Sequence, residues 1–213
     1  MTEERPLPTT AAAEEGDPDW RRLPAVAGGI LLPLAGFAAL AAAVVSEGMP
    51  AWDTEIVRLS VQNYSARLTS GLSTLLHTGV WLGAAILLLA VLVLTARRRL
   101  RHALFLSAAV GGVVILEVAL KELFRRPSIS PEGGYSFPSG HAMATAATVA
   151  AFALIATPRF RRHVLALGVP LVLALGVPLV YAWWHYPSDI LAGWCFGIAW
   201  VSALWLVLYA GEA

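Results

Sequence analysis

Cysteine occurs once in this 213-residue sequence, at Cys195 within an apolar run, so neither an intramolecular disulfide framework nor a cysteine-based zinc site can be built. Net charge is equally scarce. The 15 basic and 14 acidic residues leave a formal +1, too little for a global field that would recruit nucleic acid. Charged residues form only 14% of the chain, and beyond one His/Asp pair no tight grouping of His, Asp and Glu forms a metal-ligand set, so no metal is expected. No secretory signal is expected either. Residues 1–19 are acidic and polar, with Glu3, Glu4, Glu14, Glu15, Asp17 and Asp19 where a basic flank and apolar core would stand. Residues 1–20 are expected to be a disordered cytoplasmic tail, and residues 21–213 a single membrane domain.

What is present is apolar. With 58% hydrophobic residues and a mean hydropathy of +0.68, the chain reads as an all-α polytopic bundle, because backbone polar groups in lipid must be satisfied within each helix. Six runs approach the roughly 20 residues a span needs: about 23–45, 80–95, 103–120, 141–157, 164–184 and 188–209. Pro170 and Pro178 should distort the fifth. Between the first two runs, Ile56, Leu59, Tyr64, Leu68, Leu72, Leu75 and Leu76 alternate with Asp53, Glu55, Arg58, Gln62 and Arg67. One or two amphipathic interfacial helices are expected there, as part of a lipid access route.

The arginines orient this bundle. Arg21 and Arg22, the run from Arg97 to Arg101, and Arg159, Arg161 and Arg162 all fall on one side, which the positive-inside rule makes cytoplasmic, with both termini. Two polar islands, 134–143 and 185–189, then fall together on the outer side. Lys121, Arg125 and Arg126 lie there against the rule, which marks them as candidates for ligand binding.

The first island, Pro138-Ser139-Gly140-His141, opens directly into an apolar helix. Free amides, the positive end of the helix dipole and an imidazole meet there, an anion site beside an acid/base group. The plain alternative is a Ser139 N-cap with an interfacial histidine. In the second island, His185-Tyr186-Pro187-Ser188-Asp189, the carboxylate stands four residues after the histidine, where it can fix one tautomer. Its plain alternative is a cap by Ser188 or Asp189 near an aromatic belt of Trp183, Trp184 and Tyr186. Two histidines, one with its own carboxylate, suggest phosphoryl or acyl transfer.

These two islands on hydrophobic helices resemble the second and third motifs of the type 2 phosphatidic acid phosphatase superfamily of membrane lipid phosphatases. The resemblance spans roughly residues 50–210 in helix order and spacing. It implies metal-independent chemistry without a cofactor, with His185 as the nucleophile that forms a phosphohistidine, Asp189 as its orienting partner and His141 as the general acid. Ser139 and Gly140 would cradle the phosphate, with Lys121 from the first motif. The first motif, Lys then six residues then Arg-Pro, is incomplete: from Lys121 it reaches Ser128 and Ile129, and backward from Arg126-Pro127 it reaches Ala119. Arg126 matches an additional arginine of bacterial members and is expected to bind phosphate, with Arg125 the weaker candidate. The Ser-Arg that opens the third motif is replaced by Pro178 and Leu179, removing a bidentate phosphate clamp.

The expected function is hydrolysis of a lipid phosphate or diphosphate at the outer face: polyprenyl diphosphate, phosphatidic acid, phosphatidylglycerol phosphate or a polyprenyl-linked sugar phosphate. The expected partners are that lipid and the bilayer. The alternatives are a phosphotransferase of the same fold and a non-catalytic lipid-phosphate binding or transport protein. Glu117 and Lys121, four residues apart, should satisfy each other on one helix face. His77 reads as interfacial, and His102 and His163 belong to the cytoplasmic basic clusters.

Overall fold

A computed structural model of the chain describes residues 23–130 and 133–209; the expected N-terminal tail, with Arg21 and Arg22, lies outside them. Seven helices follow in order: α1 Leu23–Glu47, α2 Ala51–Gln62, α3 Ala66–Ala96, α4 Leu100–Phe124, α5 Gly140–Ile155, α6 Pro158–Tyr181 and α7 Pro187–Tyr209. Among the described residues there is no strand, only an isolated antiparallel bridge between Pro127 and Tyr135. Five helices, α1, α3, α4, α6 and α7, are long and apolar enough to cross a membrane; α5 is apolar but has 16 residues.

The stretch before the second expected span departs from the sequence reading. Instead of a separate amphipathic helix up to residue 78, α3 runs unbroken for 31 residues, about 46 Å at 1.5 Å per residue. Ser65 starts it, its hydroxyl accepting from the Leu68 amide at 3.4 Å, and no proline follows before its end at Ala96. The short α2 is pinned at its far end by α6: the Tyr181 hydroxyl donates to the Asn63 carbonyl at 2.7 Å and accepts from the Ser65 amide at 2.9 Å. Trp183 stacks on Tyr64 with centroids 4.8 Å apart and donates to the Ser60 hydroxyl at 3.0 Å.

The centre of the bundle is the crossing of α5 and α7. Alanines recur along α5, and Ala147 and Ala151, one turn apart, are fully buried with Met143 against Val201 and Trp205 of α7 and Phe105, Leu106 and Ala109 of α4. The approach is closest at Gly193 and Gly197, spaced as small residues are at membrane helix interfaces. A Cβ at Gly193 would stand 2.6 Å from the Ser139 carbonyl oxygen, and one at Gly197 2.5 Å from that of Met143. The outward faces of α3, α6 and α7 instead carry exposed Leu88, Leu89, Leu167 and Val207, as surfaces turned toward lipid do.

The α3–α4 turn, with Arg97, Arg98 and Arg99, lies at the end of the bundle where α7 finishes: Arg101 donates to the Leu208 carbonyl and covers the Tyr209 ring at 4.4 Å. The two polar islands meet at the opposite end, where α5 and α7 begin.

Candidate active site

The site is assembled by the loop between α4 and α5. Arg125 ends α4 in the left-handed conformation, φ 47°, its amide donating to the Lys121 carbonyl at 2.9 Å. Its side chain stays on its own helix end, donating to the Glu122 carbonyl at 3.1 Å and lying 3.7 Å from the Glu122 carboxylate. The structure therefore does not bring Arg125 to the histidines. The next residue turns inward, and the loop doubles back: the Ser136 amide donates to the Arg126 carbonyl at 2.9 Å and the Ser128 amide to that of Gly134 at 3.0 Å. Phe137 is driven into a cluster with Phe124, at 5.0 Å, and Phe37, at 5.8 Å. That anchor fixes where Ser139 emerges.

Ser139 caps α5. Its hydroxyl accepts from the Ala142 amide at 3.4 Å and its carbonyl from the Met143 amide at 2.9 Å. The first-turn amides of Gly140 and His141 have no intrahelical acceptor and point off the positive end of the helix, where an anion is favoured. The Ser139 amide donates to the Asp189 carbonyl at 3.0 Å, so the two islands are joined through their backbones.

The second island begins where α6 stops. Trp183 takes the left-handed conformation, φ 60°, and the amides of Trp184 and His185 both donate to the Leu179 carbonyl, at 3.0 and 3.1 Å. His185, 8% exposed, is directed at the start of α7. Its Nδ1 lies 3.6 Å from Asp189 Oδ2, beyond hydrogen-bond length, and is buried without a hydrogen-bond partner among the described residues.

Asp189 is fully buried and held from two sides: Oδ2 accepts from the Tyr186 amide at 2.9 Å and Oδ1 from Arg126 Nη1 at 2.6 Å. Arg126, expected at the phosphate, is 4% exposed and sunk behind His185. Nη1 also donates to the Ser188 hydroxyl at 2.6 Å, Nη2 donates to Asp53 Oδ2 at 2.8 Å, and the guanidinium carbon lies 4.0 Å from the Tyr186 ring centroid. Burial pushes the Tyr186 phenol above its usual range, although the Arg126 charge opposes this. Sequence reasoning missed Asp53. It stands in the first turn of α2, where an acid is unremarkable, and its partners lie more than seventy residues away.

The outer part of the site is looser. Lys121 and Glu117 pair at 2.7 Å, as their spacing predicts, with side chains 25% and 27% exposed. Glu117 sits directly against Gly140: a Cβ there would be 1.9 Å from the carboxylate, so a larger residue would push the Glu117 side chain aside. Trp184 stands between two imidazoles, 6.2 Å from His141 and 5.6 Å from His77, which places His77 closer to the site than its reading as a simple interfacial residue. Among the described residues no group of three His, Cys, Asp or Glu could hold a metal ion.

A family profile covers most of these residues. Residues 102–212, more than half of the chain, match the PAP2 superfamily. The chain belongs to the PAP2 superfamily. Two similar proteins are lipid A 1-phosphatases, from Rhizobium etli and Rhizobium johnstonii, each 41% identical over 87 residues. That stretch is 39% of this chain but 35% and 33% of theirs, so the match spans about a third of those relatives. The crystal structure of the first transmembrane PAP2 type phosphatidylglycerolphosphate phosphatase from Bacillus subtilis superposes with a TM-score of 0.65 at 24% identity, over 81% of this chain and 93% of that one. The PAP2 fold is therefore shared along most of its length. With five long apolar helices in that fold, the chain is an integral membrane protein.

Proposed function

We propose that this PAP2 protein is a lipid phosphatase that hydrolyses a head-group phosphate or diphosphate through a phosphohistidine at His185. The observation that carries the reading is the backbone bond from Ser139 to Asp189, which sets the open amides of α5 beside the His185–Asp189 pair. In the first step His185 Nε2 attacks phosphorus and the bond to the lipid oxygen breaks while His141 donates its proton to that oxygen. In the second, His141 takes a proton from water as the water oxygen attacks phosphorus; the N–P bond breaks and phosphate leaves. Lys121, Ser139 and the amides of Gly140 and His141 hold the non-bridging oxygens.

The missing guanidiniums at Ser128 and Leu179 bear on the substrate. With fewer cations to stabilise developing charge, the lipid oxygen must leave readily. That favours a diphosphate, whose leaving group is a lipid phosphate, or a sugar 1-phosphate, over the more basic alkoxide of phosphatidic acid; the Rhizobium relatives are named lipid A 1-phosphatases. The lipid tail has a place as well: an apolar groove of about 600 Å³ between α2, α6 and α7 begins at Pro187, next to Ser188, and passes Trp52, Ile56, Val177 and Trp194.

In this reading α5 is a sixth, short span of about 24 Å, α2 lies at the interface, and the arginine-rich turns face the cytoplasm, so the site faces outward. The test is phosphate release from a panel of lipid phosphates and diphosphates by purified protein in liposomes with EDTA present. Release that persists in EDTA, is fastest on a diphosphate or sugar 1-phosphate and disappears in His185→Ala supports the reading. No release from any lipid would overturn it.

A further inference from the structure

Asp53 lies outside both histidine islands, on the short helix α2, yet it is completely buried at the start of α7. Its Oδ1 accepts from the Ser188 amide at 2.9 Å, and its Oδ2 accepts from Arg126 Nη2 at 2.8 Å and from the Ser188 hydroxyl. Both carboxylate oxygens are thus committed inside the protein. A buried, fully satisfied carboxylate on an otherwise mixed amphipathic helix is costly to maintain unless its partners need it.

The partners are the support of the nucleophile. Pro187 at the first position of α7 has no amide hydrogen, so the Ser188 amide is the first donor the helix offers, and Asp53 caps it from 135 residues away. Asp189 follows one residue later in the same turn. Arg126 also lies between two carboxylates, Asp53 on Nη2 and Asp189 on Nη1. If Asp189 were its sole counter-ion, the guanidinium would neutralise the carboxylate that must hold His185. With Asp53 taking the other side, the Asp53–Arg126–Asp189 set carries one net negative charge, and Asp189 Oδ2 stays directed at His185 Nδ1.

We propose that Asp53 is a positioning residue for the phosphoryl-transfer step: it caps α7 and shares the Arg126 charge, so that Asp189 remains an anionic partner of His185. This rests on the phosphatase reading above. The Asp53 carboxylate bonds to Arg126 and Ser188; it acts through them, and its loss should slow chemistry while leaving lipid affinity in place.

The experiment compares kcat and KM of wild type, Asp53→Asn, Ser60→Ala, Arg126→Gln and the Asp53→Asn/Arg126→Gln pair in liposomes, on whichever panel lipid wild type hydrolyses. Asp53→Asn keeps the shape but removes the charge and sets an amide donor against Arg126 or Ser188. It should lower kcat by about 10- to 100-fold, the usual scale for a partner behind a reacting group, with KM within about threefold. Ser60→Ala, which removes the bonds from Trp183 to Ser60 and from Ser60 to the Val57 carbonyl but leaves Asp53 in place, should stay near wild type. The double variant should be no slower than Arg126→Gln alone, because both act through one network. That pair also carries the test if Asp53→Asn does not fold, since it leaves no buried guanidinium unmatched. The proposal is overturned by a folded Asp53→Asn with wild-type kcat, by an equal loss in Ser60→Ala, by a change confined to KM, or by additive losses in the double variant. A wild type that releases no phosphate overturns the phosphatase reading and this role together; an active wild type beside an equally active Asp53→Asn overturns only the role of Asp53.

Discussion

The two histidines stand at the starts of crossing helices, but their surroundings are built differently. Behind His185, Asp189, Arg126, Asp53 and Ser188 are all buried and joined by hydrogen bonds of 2.9 Å or less. Beside His141, Lys121 and Glu117 form a partly exposed pair on one helix, and Arg125 is turned away toward Glu122. On the mechanism proposed above, the difference separates two tasks. A nucleophile must be held at a fixed angle to phosphorus, which a closed network supplies in advance. A phosphate-binding group has to exchange partners when substrate arrives, and a quarter-exposed ion pair, weakly held, can do so.

This contrast can be broken most severely at His185. Replacing it with alanine should reduce phosphate release by roughly 10⁴-fold or more, as loss of a nucleophile does, with the protein still folded by gel filtration. Removing the support behind it comes next. Arg126→Ala should lower kcat by roughly 100-fold and destabilise the protein by about 3–5 kcal/mol, because two carboxylates are left buried without their cation; a thermal-unfolding series in one detergent measures the second effect. A KM increase with unchanged kcat would instead make Arg126 a direct phosphate ligand.

On the looser side, Lys121→Ala should act mainly on KM, lowering kcat/KM by roughly 10- to 100-fold, the range for a lost charged hydrogen bond. The smallest change is expected from Glu117→Gln. It removes a negative charge from beside Gly140 and frees Lys121, so KM should fall, by no more than about fivefold for so exposed a pair. A rise in KM would show that Glu117 helps to hold the substrate.

Much of this is legible in the sequence. Hydropathy places helices close to α1 and α4–α7 and finds the second half of α3, because long apolar runs bounded by arginines or by Pro and Gly have few other solutions. Ser139 capping α5 and the Glu117–Lys121 pair are local contacts, and local spacing announces them. The continuity of α3 was not legible, since polar residues before Thr78 resembled a separate surface helix while the deciding feature was the absence of a break. Asp53 was hidden for a different reason. Its partners Arg126 and Ser188 are brought to it only by the packing of α2 against the ends of α6 and α7, and no periodicity encodes a contact of that range. For the same reason Arg126 could be recognised as important from sequence but not assigned a direction.

The account stands or falls on a covalent bond to one nitrogen. Wild-type protein in liposomes would be mixed with its fastest substrate, quenched in alkali within the first turnover, digested, and searched by mass spectrometry for phosphate on histidine. The account predicts an acid-labile, alkali-stable phosphoryl group on the peptide bearing His185, absent from His185→Ala. Full turnover with no phosphohistidine at any quench time, or the group on His141 instead, would contradict it.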